Sequence, residues 1–196
     1  MTDPRLERWL DELLATPGLT AIRDRDEAWS MLVEDALRGV DVVRGLEGPI
    51  VDVGSGGGSP GIPLAAALPG REVTLLEANG RKAHFLEQAV AVFPNVSVVR
   101  GRAEEQETDR FGVAVAKALA PPPVALEWAL ALVRPGGAAV LWLGPTADLG
   151  PLGRVAEQLG GGPPEKRAGL VVVPKIEPTP PGFPRRPGAA RKRPLA

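Results

Sequence analysis

The chain has no cysteine and no tyrosine among its 196 residues, and it has one histidine, His84. The absence of cysteine excludes disulfides, thiolate metal sites and any mechanism that uses a cysteine nucleophile. A single imidazole cannot form a multi-histidine metal site, so we expect no bound metal. Aromatic residues make up only 4% of the chain, which leaves few rings on which a nucleobase could stack.

Long apolar runs are also missing. No run approaches the roughly 18 residues that span a membrane, and residues 1–10 lack the layout of a signal peptide. The sequence therefore predicts a cytoplasmic, monomeric protein without membrane attachment. Its length fits one domain with a hydrophobic core. We expect N-terminal helices over 1–46, an α/β core over 47–175 and a tail rich in proline and arginine over 176–196.

Charge is distributed unevenly along the chain. Residues 175–196 carry six basic side chains and one acidic side chain, whereas the rest of the chain carries 17 basic and 23 acidic ones. A basic tail on an acidic body favours an anionic partner that the tail reaches. A solubilising, extended end would have the same composition, so charge alone leaves both interpretations open.

Apolar periodicity alternates between strand and helix. It predicts two helices before residue 46, with stripes over 6–14 and 29–40. Further helices are predicted over 61–68, 81–93, 124–133 and 149–159, and strands over 49–53, 72–77, 96–100, 111–117, 138–143 and 170–175. Strands separated by helices indicate a parallel sheet with helices on both faces. Residues 177–196 lack periodicity and are predicted to be extended.

A glycine-rich turn follows the first predicted strand. Asp52 is followed by Gly54, Gly56 and Gly58 at alternate positions. Such glycines let backbone N–H groups approach a ligand, and the next helix directs its positive end to the same place. The dinucleotide fingerprint needs a glycine where Ser59 stands. The acidic Asp52 would also repel a pyrophosphate but attract a cation, such as the methionine ammonium of S-adenosylmethionine.

Two further acidic positions follow the next two predicted strands. Glu77 ends the second strand, where doubly wound folds use an acid to bind ribose hydroxyls. Residues 101–105, which include Ala103 and Glu104, follow the third strand, where a loop would reach an adenine edge. Because all three loops lie at the carboxyl ends of adjacent strands, the sequence predicts one ligand site there.

Seven segments carry a resemblance to a known family. They are residues 18–24, 34–37, 52–64, 76–86, 101–104, 175–188 and 191–195. They resemble the glucose-inhibited division protein B family, also called the RsmG family, whose members are 16S rRNA guanine-N7 methyltransferases. The resemblance covers nearly the whole chain, and the tail pattern is more specific than the glycine turn. It implies a Rossmann-like class I S-adenosylmethionine-dependent methyltransferase fold.

The resemblance also implies roles for individual residues. Gly54 and Ser59 would contact S-adenosylmethionine, Ala103 and Glu104 would lie at its adenine, and Lys117 would lie beside the cofactor or the target base. Lys117 is also the candidate catalytic residue. The partner would be 16S rRNA or the small ribosomal subunit, held by basic residues of the tail. These are Arg185, Arg186, Arg191, Lys192 and Arg193.

The expected chemistry needs little from side chains. The N7 atom of guanine has a free lone pair and attacks a sulfonium methyl group without prior deprotonation, so alignment can supply most of the catalysis. The family usually has histidine, serine, arginine and lysine where Leu32, Ala36, Lys117 and Leu143 stand here. An alternative is therefore a divergent paralogue that binds S-adenosylmethionine or RNA with altered or lost catalysis.

Overall fold

Seven strands form one twisted sheet in the structure, a computed structural model that describes residues 3–196. The strands are β1 (Ile50–Val53), β2 (Val73–Glu77), β3 (Val96–Arg100), β4 (Phe111–Lys117), β5 (Val133–Trp142), β6 (Glu165–Arg167) and β7 (Leu170–Pro174). The helices are α1 (Pro4–Ala15), α2 (Arg25–Ala28), α3 (Asp35–Leu37), α4 (Val40–Arg44), α5 (Gly61–Ala67), α6 (Gly80–Ala89), α7 (Pro122–Ala131), α8 (Leu149–Gln158) and α9 (Ala189–Lys192).

The strand order is β3-β2-β1-β4-β5-β7-β6. Strands β1 to β5 pair in parallel, whereas β7 pairs antiparallel with β5 and with β6. After β1, the chain adds β2 and β3 on one side of β1. It then crosses over and adds β4 and β5 on the other side of β1. Crevices that bind ligands in open α/β sheets lie at the carboxyl ends of strands at such a reversal. The predicted doubly wound α/β sheet is confirmed.

Both faces of the sheet are covered. Ile50 points to a core that contains α1, α5 and α6, whereas its neighbour Val51 points to a core that contains α7 and α8. This alternation follows from the two-residue period of a strand. Sheets with helices on both faces have strands that are apolar throughout, and all four residues of β1 are buried.

The N-terminal helices differ in part from the prediction. Helix α1 begins at an Asp3 cap and buries its predicted stripe, including Trp9. The second predicted helix is not continuous. It is divided into α2, a π-helical segment (Trp29–Glu34), α3 and α4. The apolar stripe predicted one helix because a π turn adds only one residue per turn and barely changes the pattern.

The C-terminal tail also differs from the prediction. Residues 189–192 form the short helix α9, and the side chain of Ala190 is buried in the core beside α7. Phe183 packs against the same core. The tail therefore returns to the body of the protein, whereas the sequence predicted an extended end. The sequence analysis also missed β6, a strand of three exposed residues that carries no apolar pattern.

Candidate cofactor site

The glycine turn after β1 adopts backbone conformations that favour glycine. Gly54, Gly56 and Gly58 have φ angles of 70°, 58° and 110°, in the left-handed region that L side chains rarely adopt. The backbone N–H groups of Gly54 and Ser55 donate to the carbonyl of Leu76 at 2.8 and 3.1 Å, which fixes the turn against β2. The turn is thus rigidly held at the carboxyl edge of the sheet.

Glu77 supports this turn from the end of β2. Its Oε2 accepts a hydrogen bond from the backbone N–H of Gly56 at 2.8 Å, and its Oε1 accepts one from Asn79 at 2.7 Å. A carboxylate has about four lone-pair positions, so each oxygen keeps capacity for a ligand hydroxyl. Glu77 is fixed in orientation before any ligand arrives.

Asp52 lies behind the turn and not at its open side. It is 1% exposed, and its Oδ2 accepts a hydrogen bond from the backbone N–H of Gly61 at 2.9 Å. Burial raises the pKa of this carboxyl to about 7. The expectation that Asp52 contacts a cationic ligand directly is not supported, because its carboxyl holds the start of α5 instead.

A cavity of about 650 Å³, the main cavity, opens beside the turn. It is lined by the ends of four parallel strands and the segments that follow them, at residues 53–57, 59, 76–78, 101–104 and 117–119. The N-terminal residues Leu13, Leu19, Thr20 and Leu32 line it from another side. The structure therefore brings Gly54, Gly56, Ser59, Glu77, Ala103, Glu104 and Lys117 together at one cavity.

Gly58, like Asp52, is not among the residues that line the main cavity. A Cβ at Gly58 would meet Ile62 and the indole nitrogen of Trp9. That indole donates to the carbonyl of Gly57 at 2.9 Å. Gly58 therefore allows α1 to pack closely against the turn, which is a structural role that differs from the predicted ligand contact.

The π-helical segment meets the cavity through its backbone carbonyls. The hydroxyl of Ser59 donates to the carbonyl of Leu32 at 2.8 Å, and Nζ of Lys117 donates to the carbonyl of Met31. Lys117 also forms an ion pair with Asp35, with 2.9 Å between Nζ and Oδ2. Single π turns of this kind occur frequently at functional sites. Ser59 and Lys117 thus join the N-terminal helices to the sheet.

The opposite end of the main cavity is formed partly by the tail. Glu104 accepts a hydrogen bond from the backbone N–H of Gly188, with 3.1 Å between Oε1 and the nitrogen. Arg191 and Trp128 line the main cavity at this end, and the Arg191 guanidinium lies 5.3 Å from the centre of the Trp128 ring. The sequence analysis missed Trp128, because nothing distinguishes it within α7, a helix that is almost entirely buried.

A second cavity of about 730 Å³, the basic cleft, lies within the tail. Its charged lining residues are Arg185, Arg186, Lys192 and Arg193. Among these, Arg185 forms an ion pair with Glu127, whose side chain is 2% exposed, and its Nε lies 2.7 Å from Oε1. Four of the predicted RNA-binding cations thus meet at the basic cleft, whereas Arg191 faces the main cavity.

Residues 3–196 contain no group of three or more potential metal ligands. No helix in that range is long and apolar enough to cross a bilayer.

The chain matches the model of the GidB family, described as rRNA small subunit methyltransferase G, over residues 5–148. It is 36% identical to the ribosomal RNA small subunit methyltransferase G of Moorella thermoacetica, over 91% of this chain and 82% of that protein. It is 35% identical to the protein of the same name from Chloroflexus aggregans, over 97% of this chain and 89% of that protein.

Solved structures show the same fold at low sequence identity. Human N-acetylserotonin methyltransferase in complex with SAM has a TM-score of 0.58 at 13% identity, over 77% of this chain and 53% of that chain. A T. thermophilus 16S rRNA methyltransferase (RsmC) in complex with AdoMet and guanosine has a TM-score of 0.51 at 18% identity, over 76% of this chain and 40% of that chain.

Proposed function

The chain belongs to the GidB family of rRNA small subunit methyltransferases, and we propose that it transfers a methyl group from S-adenosylmethionine to N7 of a guanine in 16S rRNA. The observation that carries this proposal is the main cavity. There the glycine turn, Glu77 and the Ala103–Glu104 segment meet at the carboxyl ends of adjacent parallel strands.

The residues of the main cavity fit an adenosine-containing cofactor. The glycine turn exposes backbone that side chains would cover, and a side chain at Gly54 would collide with Leu119. Glu77 retains acceptor capacity for ribose hydroxyls, and Ala103 and Glu104 lie where an adenine edge would be met. The methionine end would face the turn itself, which Asp52 holds in place from behind.

The cofactor supplies a sulfonium methyl group when it is bound. Transfer breaks the bond from sulfur to the methyl carbon and forms a bond from that carbon to guanine N7. The N7 lone pair supplies the electrons, so no proton is removed first. The protein's task is then alignment, which contributes up to about 7–11 kcal/mol in the best intramolecular cases. The lack of a histidine or cysteine at the main cavity agrees with this chemistry.

We propose that Lys117 acts at the boundary between cofactor and target base. Its side chain lines the main cavity, and its ammonium is held by Asp35 and by the carbonyl of Met31. These contacts place the π-helical segment over one side of the cavity. Lys117 therefore positions the N-terminal wall against which the target base would lie.

The basic cleft is the proposed contact for the rRNA backbone. Arg186, Lys192 and Arg193 are exposed there and would neutralise phosphates. Arg185 would act indirectly, because Glu127 already binds its guanidinium. A monomeric state and a cytoplasmic location stay predictions.

The test is methyl transfer to a defined acceptor. The protein would be incubated with labelled S-adenosylmethionine and 30S subunits, or free 16S rRNA, from a strain that lacks the family enzyme. We expect one labelled guanine that carries the methyl group at N7. Cofactor binding without transfer to either acceptor would favour the divergent paralogue. Failure to bind the cofactor would contradict both functions.

A further inference from the structure

One arginine of the tail is separated from the others. Arg186, Lys192 and Arg193 line the basic cleft, whereas Arg191 lines the main cavity together with Glu104 and Trp128. Arg191 belongs to α9, a single turn between the two cavities. Its position differs from that expected of a residue that only contacts RNA.

Arg191 is stacked on an aromatic ring of the cavity wall. Its guanidinium carbon lies 5.3 Å from the centre of the Trp128 ring, within the range of a cation–π contact. Trp128 is 7% exposed, and its indole nitrogen has no hydrogen-bond partner within residues 3–196. A buried donor without a partner is uncommon in folded proteins and calls for an explanation. The nitrogen itself is buried, whereas Trp128 as a residue lines the main cavity.

The tail is anchored at three points that fix the place of Arg191. Arg185 is paired with the buried Glu127, which directly precedes Trp128 in α7. Gly188 donates to Glu104 from the start of α9, and Ala190 is 1% exposed. Arg191 therefore lies at the main cavity as a consequence of how the tail packs.

We propose that Arg191 and Trp128 bind the adenine ring of the cofactor, so that the C-terminal tail forms one wall of the adenine subsite. This proposal rests on the proposed function, because it concerns the same cavity and the same cofactor. It adds two residues, one of them from the tail, to a site that the sequence placed entirely on the loops of the sheet.

The chemistry of adenine suits this wall. An adenine ring carries ring-nitrogen acceptors in its plane, which match the donors of a guanidinium. Its face can also stack on a guanidinium plane.

The test measures S-adenosylhomocysteine and adenosine binding by isothermal titration calorimetry in the absence of RNA. We expect Arg191→Ala to weaken both ligands by a similar factor, about fivefold to tenfold. The similar factor follows because both ligands carry the same adenine ring. Arg154→Ala is the matched control, since Arg154 is an exposed arginine of α8 that lines neither cavity. The Arg154→Ala variant should bind both ligands with the same affinity as the unaltered chain.

A second variant tests the aromatic ring of Trp128. Trp128→Leu removes the ring on which the Arg191 guanidinium rests, so we expect a smaller loss of affinity for both ligands, about twofold to fivefold. Unchanged affinity in Arg191→Ala would overturn the proposal. So would a loss for S-adenosylhomocysteine with none for adenosine.

RNA binding separates this proposal from the alternative role of Arg191. If Arg191 contacts a phosphate, Arg191→Ala should reduce the slope of log K against log salt by about 0.7 for single-stranded RNA. We expect no such reduction. If the unaltered chain bound no S-adenosylhomocysteine, the proposed function itself would be contradicted. If the unaltered chain bound it and Arg191→Ala bound it equally well, only the role of Arg191 would be contradicted.

Discussion

The two ends of the main cavity are built in different ways. At the glycine turn, backbone groups of Gly54 and Ser55 bond to β2, and Glu77 bonds to Gly56 only 21 positions earlier. At the tail end, Gly188 bonds to Glu104 across 84 positions, and Arg185 reaches Glu127 across 58. The first end is part of the sheet, whereas the second depends on a few long-range side-chain contacts.

This difference predicts that the glycine turn and the tail contribute differently to cofactor binding. Elements with many buried contacts open only with the whole fold, whereas segments with few contacts open locally at low cost. The glycine turn should therefore determine whether the cofactor binds at all. The tail should tune how tightly it binds.

The largest effect is expected at the glycine turn. Gly56→Val places a β-branched side chain at a φ of 58° and next to the cavity, a conformation that costs about 1–3 kcal/mol before any clash with the ligand. We expect S-adenosylhomocysteine affinity to fall at least about 100-fold in calorimetric titrations. Gly70→Val is the control, because a Cβ there meets open space. Similar affinities for the two variants would refute the assignment of the turn.

The ion pair that anchors the tail should have the next largest effect. Arg185→Ala leaves the carboxylate of Glu127 buried without its partner, so we expect the free energy of unfolding to fall by roughly 3 kcal/mol in urea denaturation. Combining it with Glu127→Gln should recover part of this loss, because the buried charge is then removed. If the single variant lost no more stability than Arg154→Ala, the tail would not depend on this pair.

The outer face of the tail should affect RNA alone. Replacing Arg186, Lys192 and Arg193 by alanine removes three proposed phosphate contacts, which should reduce the slope of log K against log salt by about 2 for single-stranded RNA. Affinity for S-adenosylhomocysteine should stay the same. Alanine at Arg154, Lys166 and Arg167 removes the same charge elsewhere on the surface. An equal reduction in that control would indicate a general charge effect and not a defined RNA contact.

The smallest expected effect, taken per pH unit, is a pH dependence of stability from the buried Asp52. The pKa of Asp52 is raised to about 7 in the folded protein from 3.8, so between these values the folded state holds a proton that the unfolded state has lost. The free energy of unfolding should therefore decrease as the pH rises from about 4 to 7, by at most about 1.4 kcal/mol per pH unit.

Asp52→Asn tests this dependence. The amide oxygen can still accept from Gly61, but the group no longer titrates, so the slope between pH 4 and 7 should become shallower in urea denaturation. Asp41→Asn serves as the control, because Asp41 is an exposed carboxylate. An unchanged slope in Asp52→Asn would show that this carboxyl ionises normally in the folded protein.

The contrast between the glycine-turn end and the tail end of the main cavity also explains what the sequence could predict. The strands and the placement of Glu77 beside the glycine turn follow from local periodicity and from the rule that parallel strands end at one edge. The burial of Asp52 was not predicted, because a strand residue within the same pattern can support the loop or face the ligand. The side of the turn is decided by packing against α5.

The tail end could not be predicted in this way. The contacts of Arg185, Gly188 and Arg191 join positions that are far apart in the sequence, so spacing carries no signal for them. Trp128 lies in a helix buried on all sides, and one indole among apolar residues indicates only a core. The π-helical segment was not predicted for a similar reason. Its carbonyls accept hydrogen bonds from Ser59 and Lys117, which lie far from it in the sequence.

The contact between Glu104 and Gly188 has a consequence for the order in which the protein is made. A ribosome synthesises the glycine turn, Glu77 and Glu104 before α9, so a growing chain can begin to form the sheet while the end of the main cavity at Glu104 is still open. The cavity becomes complete only after residues 185–191 have been added and have packed on α7. Cofactor binding at full strength would therefore report that residues 185–191 have folded onto α7.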